Sequence, residues 1–320
     1  MSSRGKIGIF LPSGNGDIMT AMSVLKYKDI VWPNKDIVWF CDGTSSNWGD
    51  GPIGSEVIQG SKYQDVLKYN DAISEIRHWP HGWRDAAFKD PSNNHLNQSR
   101  KHLFELAKDL EQGYFPAPWM VDTVKQRSGI DYPNFSRRVF GVNPSWEWHP
   151  YLCFSKEEKE TAAEFCIKFP HKKTIMLETS FGSGESPFQD DSLTIETIEM
   201  CRKKWGKCNF VFACVSDNSR FFDDAGMVSC SCFTARQTAL INNYCDLFIG
   251  VGSGISVAVS CWGNKPVPQL QYCGTFGEST VSLANGPTEI VVKQDWLTGR
   301  WNHNHQQEFK SKLFGLLEKL

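Results

Sequence analysis

TARQTALINNYCDLFIGVGSGISVAVSCWGNKPVP, residues 234–268, reads as helix, buried strand, glycine turn, helix and strand in succession. Asp246–Val251 (DLFIGV) is a short apolar run of the kind a parallel sheet buries on both faces. Gly252, Ser253 and Gly254 follow it directly. The glycines permit a sharp turn and close backbone approach, and Ser253 is suited to cap the helix SVAVSCWG, whose free N–H groups and positive dipole end then face the turn. A diphosphate fits such a turn. So does a plain strand-to-helix corner that needs only small residues, and the rest of the chain has to decide between them.

At 320 residues the chain suits two domains of roughly 150 residues each rather than one core. Its 40% hydrophobic and 22% charged content are those of a soluble globular protein. Apolar runs fall short of the ~20 residues a membrane span needs, and MSSRGKIGIFLP enters a strand without the pattern of a signal peptide, so the expected compartment is the cytoplasm. Eleven cysteines, an odd number with several inside apolar runs such as NFVFACV, argue for reduced core thiols over a disulfide framework. Cys230-Ser231-Cys232 lacks zinc-ligand spacing, and no metal is expected. A formal net charge of −2 lacks the basic excess of a general nucleic-acid binder, although it leaves room for a local groove.

Two α/β halves follow one another. Lys6–Pro12 predicts a strand, SGNGD a turn, IMTAMSVLKYKDIVWP a helix ending at Pro33, and Lys35–Asp42 a second strand, together a βαβ unit. The stretch from Gly43 to about Pro150 is irregular, with one helix predicted at SRKHLFELAKDLEQG between a Ser99 cap and a Gly113 stop. Ser155 and Glu158 form a capping box for a helix over Ser155–Phe169. TIMLETS, SLTIETIEMCRKKW and NFVFACVS then read as strand, helix and strand. A last helix, QQEFKSKLFGLLEKL, carries Phe309, Leu313, Leu316, Leu317 and Leu320 at helical spacing and must dock on something.

Tandem Rossmann-like halves imply a ligand at the carboxyl ends of their strands. The first loop, Ser13-Gly14-Asn15-Gly16-Asp17, lacks the third glycine of a dinucleotide fingerprint, which disfavours a nicotinamide enzyme. Asp17 is suited to cap the helix, or to accept a proton from a substrate hydroxyl at the mouth of a cleft.

The segments GDIMTAMSVLKYKDIVWPNKDIVWF, LCFSKEEKETAAEFCIKFPHKKTIMLETSFGSGES and ALINNYCDLFIGVGSGISVAVSCWGNKPV resemble, in that order and spacing, the opening, linker and donor segments of the heptosyltransferase-like glycosyltransferases, family 9. The resemblance implies a GT-B architecture of two Rossmann-like domains facing across a cleft. Residues 1–165 would form the acceptor domain, 166–300 the donor domain, and 301–320 a helix packing back on the first. It further implies a metal-independent, inverting enzyme with no cofactor beyond a nucleotide-sugar co-substrate. By position Asp17 becomes the general base, Gly14, Asn15 and Gly16 the acceptor loop, and Gly252, Ser253 and Gly254 the diphosphate turn. Glu178, Ser180 and Ser183 become the facing loop.

The chain departs from that pattern at two places. Where the family carries a histidine, this sequence reads Ile255-Ser256-Val257, and the loop FGSGESPFQDD has three acids and no lysine. Arg236 or Lys265 would have to supply the missing cation. The tryptophan-rich segments Arg77–Arg84 and Asn143–Pro150 suit either loop packing or stacking on sugars and bases. Three functions stay open: a nucleotide-sugar glycosyltransferase acting on a glycan or other hydroxyl acceptor, a nucleotide-binding protein of the same fold without turnover, and a glycosyltransferase acting on modified nucleic acid.

Overall fold

The computed structural model describes residues 4–11, 15–42, 65–79, 105–116, 132–179, 191–213, 221, 225–273, 283, 286–292 and 303–320. Strand β1 (Lys6–Phe10) leads to helix α1 (Asn15–Met22), a 3-10 stretch (Ser23–Tyr27), a further helical turn α2 (Lys28–Val31) and strand β2 (Asp36–Asp42). The single helix expected up to Pro33 is thus divided, with a tightened turn at Ser23. Asn34 reverses the chain in the left-handed region, φ 61°, which Asn tolerates better than most residues. β1 and β2 pair in parallel, Lys6 opposite Asp36 and Phe10 opposite Phe40, as the βαβ reading requires.

Strands β3 (Glu75–Trp79) and β4 (Leu110–Tyr114) complete a four-stranded sheet in the order β3-β2-β1-β4. β4 corrects the sequence reading. The predicted helix SRKHLFELAKDLEQG is helical only to residue 107 in its described part, and LEQGY then runs parallel to β1 with Gly113 beside Gly8. Phe10 explains the choice. Its ring fills the space both glycines leave: a Cβ would lie 2.7 Å from it at Gly113 and 2.9 Å at Gly8. Phe10 also stacks on Phe40 and Phe115, with centroids 4.2 and 4.8 Å apart. Long-range packing here overrides the helix propensity of the segment.

On this face the Arg77 guanidinium forks between Glu75 and Asp109 and stands over the Phe40 ring, while Lys6 joins the same two carboxylates. Hydrogen bonds from Arg77 and then Lys6 hold Asp109 well below the usual carboxylate range, and Arg77 above all lowers Glu75.

Helix α3 (Tyr132–Phe140) packs near α1, and helix α4 (Lys156–Cys166) opens with the predicted Ser155–Glu158 capping box. Beyond it lie β5 (Lys173–Leu177), α5 (Asp191–Trp205), β6 (Cys208–Phe212), β7 (Met227–Ser229), α6 (Ala235–Asn242), β8 (Leu247–Val251), α7 (Gly254–Val259), β9 (Gln269–Cys273) and β10 (Thr288–Val292). The final strand of the 234–268 stretch starts later than GNKPVP suggests. Prolines 266 and 268 have no N–H to give a ladder, although the Pro268 carbonyl still accepts from Phe248 N–H at 2.9 Å.

All described pairings in this second sheet are parallel, in the order β7-β6-β5-β8-β9-β10. That is the doubly wound 3-2-1-4-5-6 arrangement, with its reversal between β5 and β8; the first sheet reverses between β1 and β4. The fold is α/β with two parallel sheets. One apolar core joins them: Ile18, Met19 and Met22 of α1 are buried together with Ala239, Val257, Ala258, Cys261 and Leu283 from the second half.

Helix α8 (His303–Lys319) is a second correction. Phe309, Leu313, Leu316 and Leu317 sit in the core of the six-stranded sheet, and the Phe309 ring stacks on Tyr272 at 4.7 Å. Lys310 pairs with Glu196 of α5, and Lys312 reaches the Ile290 carbonyl of β10. Its apolar stripe therefore covers β9 and β10 instead of crossing to the first half. No described helix is long and apolar enough to cross a membrane.

The charge cluster predicts an acid limb of stability. Asp109 and Glu75 have folded pKa values below their unfolded ones, so their contribution is present above about pH 4 and lost as pH falls through the folded values. Thermal midpoints of wild type and Asp109→Asn should differ at pH 6 and converge toward pH 2. A gap that does not change with pH would remove the cluster as the cause.

Candidate functional site

β8 is buried along its whole length and delivers Gly252, Ser253 and Gly254 to the carboxyl edge of the second sheet, at its reversal point. Gly252 N–H is bound to the Tyr272 carbonyl at 2.6 Å. Ser253 caps α7: its Oγ accepts from Ile255 N–H at 3.0 Å and Ser256 N–H at 3.4 Å, while Ser253 N–H donates to Ser256 Oγ at 2.9 Å. Four of the amides expected to greet an anion, those of Gly252, Ser253, Ile255 and Ser256, are thus already engaged. The turn is a finished structural corner.

Behind it lies Glu178, immediately after β5. Its N–H bonds the Ile249 carbonyl at 2.8 Å, and Gly250 makes room for it: a Cβ there would stand 3.0 Å from Glu178 Cβ and 2.7 Å from the Phe248 ring. Glu178 Oε1 accepts a short hydrogen bond from the Ser253 hydroxyl. Oε2 is buried with no partner among the described residues. Burial pushes this carboxyl well above the ordinary range, only partly countered by the Ser253 hydroxyl and the Val251 N–H. At 2% exposure Glu178 supports the turn from beneath instead of facing a cleft as the sequence suggests.

The start of α1 meets the turn from the other side. An ideal Cβ on Gly16 would lie 3.5 Å from Gly254 Cα and 3.7 Å from its nitrogen. Asn15 opens α1, and Asp17 is half-buried in its first turn, where a carboxylate is favoured by the helix dipole. Thr20 Oγ1 ties back to the Gly16 carbonyl at 2.8 Å. Gly14, Ser180 and Ser183 lie outside the described residues.

Arg236 is not available as the missing cation. It is fully buried at the start of α6, where Nε and Nη2 grip the Glu158 carboxylate, Nη1 donates to the Lys68 carbonyl at 2.7 Å and Nη2 also to the Cys153 carbonyl. Four of its five N–H groups are thereby used inside the protein. Glu158, read as a capping-box member, is also the partner of this clamp, a double use that α4 alone does not reveal. Lys265 Nζ donates to the Cys245 carbonyl at 3.1 Å.

The aromatic segment Asn143–Pro150 packs within the protein, whereas the aromatic side chains of Arg77–Arg84 lie outside the described residues. Trp148 is buried under Arg137, and Trp146 packs on Tyr27 at 4.5 Å. His149 Nδ1 meets the Leu283 carbonyl at 2.7 Å. Among the described residues no three His, Cys, Asp or Glu side chains cluster as a metal site.

No family model matches the chain, and no curated protein is similar to it in sequence. Solved structures are similar to it in fold. A family 9 glycosyl transferase from Veillonella parvula DSM 2008 superposes with a TM-score of 0.64 at 12% identity, covering 100% of this chain and 99% of that one. The ADP-heptose LPS heptosyltransferase II of E. coli gives 0.60 at 13% identity, covering 98% and 99%. The E. coli heptosyltransferase WaaC, solved with ADP, gives 0.54 at 12% identity, covering 96% and 99%. At such identities the likeness is one of fold. At that level the resemblance to the family 9 glycosyltransferases holds over the whole chain.

Three substitutions test this geometry. Gly16→Ala places its methyl at ordinary contact distance and should leave the unfolding midpoint unchanged or slightly raised, whereas Gly16→Leu should wedge α1 from α7 and lower it. Arg236→Ala strips a buried carboxylate of its partner and should lower stability by about 3–5 kcal/mol in urea titration. A stable Arg236→Ala protein that merely loses nucleotide binding would instead restore Arg236 to the ligand site.

Proposed function

We propose that this protein is a metal-independent, inverting glycosyltransferase of GT-B architecture, moving a sugar from a nucleoside-diphosphate donor to an acceptor hydroxyl. Residues 1–165 form the acceptor side and 166–300 the donor side, with the last helix joined to the donor side. One observation supports the reading: at the reversal points of two parallel sheets the start of α1 meets the glycine turn before α7, Gly16 against Gly254, with Asp17 next to Gly16. The support from outside is a fold shared with enzymes whose names specify ADP-heptose as substrate or ADP as ligand.

In this mechanism Asp17 takes the proton of the acceptor hydroxyl as its oxygen attacks the anomeric carbon from the face opposite the diphosphate. The bond from that carbon to the diphosphate oxygen breaks, and the configuration inverts. The peptide dipoles around Gly254 face the departing charge. The neighbouring protein positions the two reactants, which by itself removes much of the barrier of a bimolecular reaction.

A specific departure favours a second reading, a nucleotide-binding protein without turnover: the family's histidine and lysine are both missing, and neither Arg236 nor Lys265 replaces them. Turnover separates the two. ADP-, UDP- and GDP-sugars should each be offered with and without chelator, monitoring release of the diphosphate; the enzyme reading expects release that the chelator leaves unchanged. Asp17→Asn should lower that turnover by roughly 10²–10⁴-fold with little effect on donor binding. Wild-type rates in that variant would reduce Asp17 to a helix-terminus residue. Tight binding with no turnover would favour the second reading.

A further inference from the structure

Glu178 and Ser253 leave adjacent strands, β5 and β8, at the point where the order of the second sheet reverses, and they touch there. This is where doubly wound sheets take their ligands. Glu178 has an unusual setting for an acid. Its carboxyl is buried, its Oε2 has no hydrogen-bond partner among the described residues, and the described groups acting on it are the Ser253 hydroxyl from the α7 cap and the Val251 N–H from β8. No charged side chain of β5, β8 or α7 is among them. An ionised carboxylate with so little compensation is strongly disfavoured, and the neutral acid is the form that such a site holds. Because Oε1 accepts from Ser253, the proton belongs on Oε2. The consequence reaches the turn: an ionised Glu178 would place a full negative charge directly behind Gly252–Gly254, in a loop region whose sequence offers no cation.

We propose that Glu178 is a positioning residue kept as the neutral acid, which orients Ser253 and keeps the glycine turn free of negative charge so that a nucleoside diphosphate can bind; ionisation, with loss of the proton to solvent, expels that ligand. The proposal rests on reading the turn as the donor site. It assigns the acceptance of a dianionic group to the removal of a repulsive charge, where other proteins add an attractive one.

The test is calorimetric titration of ADP, UDP and GDP into wild type and E178Q from pH 5.5 to 8.5. Gln keeps the acceptor for Ser253 and an N–H in place of the acid O–H, but it cannot ionise. Wild-type affinity should fall as pH rises, approaching about tenfold per pH unit once Glu178 ionises, relative to E178Q, in which that component is absent. Titration of the nucleotide itself is common to both proteins and cancels in the ratio. A ratio that stays constant across pH values at which the infrared band of the protonated carboxyl disappears overturns the proposal.

A ligand-free arm separates this from failure of the donor reading. An acid neutral in the fold but ionised in the unfolded chain loses stability as pH rises above about 4.3, so the thermal midpoint of wild type should fall relative to E178Q over pH 5 to 8. An infrared band of a protonated carboxyl at pH 7 reads the same state in wild type alone. Absence of both signals overturns the neutral acid. Their presence with no nucleotide bound by either protein overturns the donor reading, and with it the ligand half of the proposal.

Discussion

The close approach of α1 and α7 is the constraint on which the rest of the molecule depends. Two helices from different sheets pack in one apolar core, and at their starts Gly16 and Gly254 bring backbone against backbone with no side chain between. Because each helix begins where a strand ends, this contact draws the carboxyl edges of both sheets together. It also sets Gly16, next to Asp17 in the first turn of α1, against Gly254 of the other half. A side chain as large as leucine at Gly16 would separate the edges, whatever the polar groups around them.

Polar clamps hold that arrangement at other points. Arg236 links α6 to α4 through Glu158 and to the first half through the Lys68 carbonyl. A guanidinium with this many buried partners is costly to leave unpaired, so it resists separation of the halves more strongly than an exposed ion pair does. The Lys6, Glu75, Arg77 and Asp109 cluster does a different task. It crosses the face of the first sheet from β3 to the start of β4 and is exposed enough for solvent and acid to reach it.

What was legible in the sequence was whatever local chemistry determines. Alternation of apolar runs with glycine turns located β1, β2, β5, β6 and β8, and Ser155 with Glu158 marked the start of α4. What was illegible depended on partners distant in the chain. LEQGY is a strand because Gly8 and Phe10 lie about a hundred residues away to receive it, as the pairing of Lys6 with Leu110 makes plain. Arg236 looks like a free cation until Lys68 and Cys153 arrive at its side. Glu178 could be placed at the site from its position after an apolar strand, but its burial under Ser253 required the neighbouring strand. The last helix showed that it must dock, and its stripe fits several surfaces equally well on pattern alone.

The shared core has a consequence for the order in which the chain can fold during synthesis. Met19 and Met22 are covered in part by Val257, Ala258 and Cys261, and the same core includes Leu283. A ribosome that has released only the first sheet has therefore produced an object with an open apolar flank, although its four strands can already pair. Domains emerging from the ribosome ordinarily close as units, N-terminal first. Here the first half must wait for more than a hundred further residues before its interior is sealed, so the nascent chain passes through a long interval in which chaperone protection matters more than it does for the finished protein.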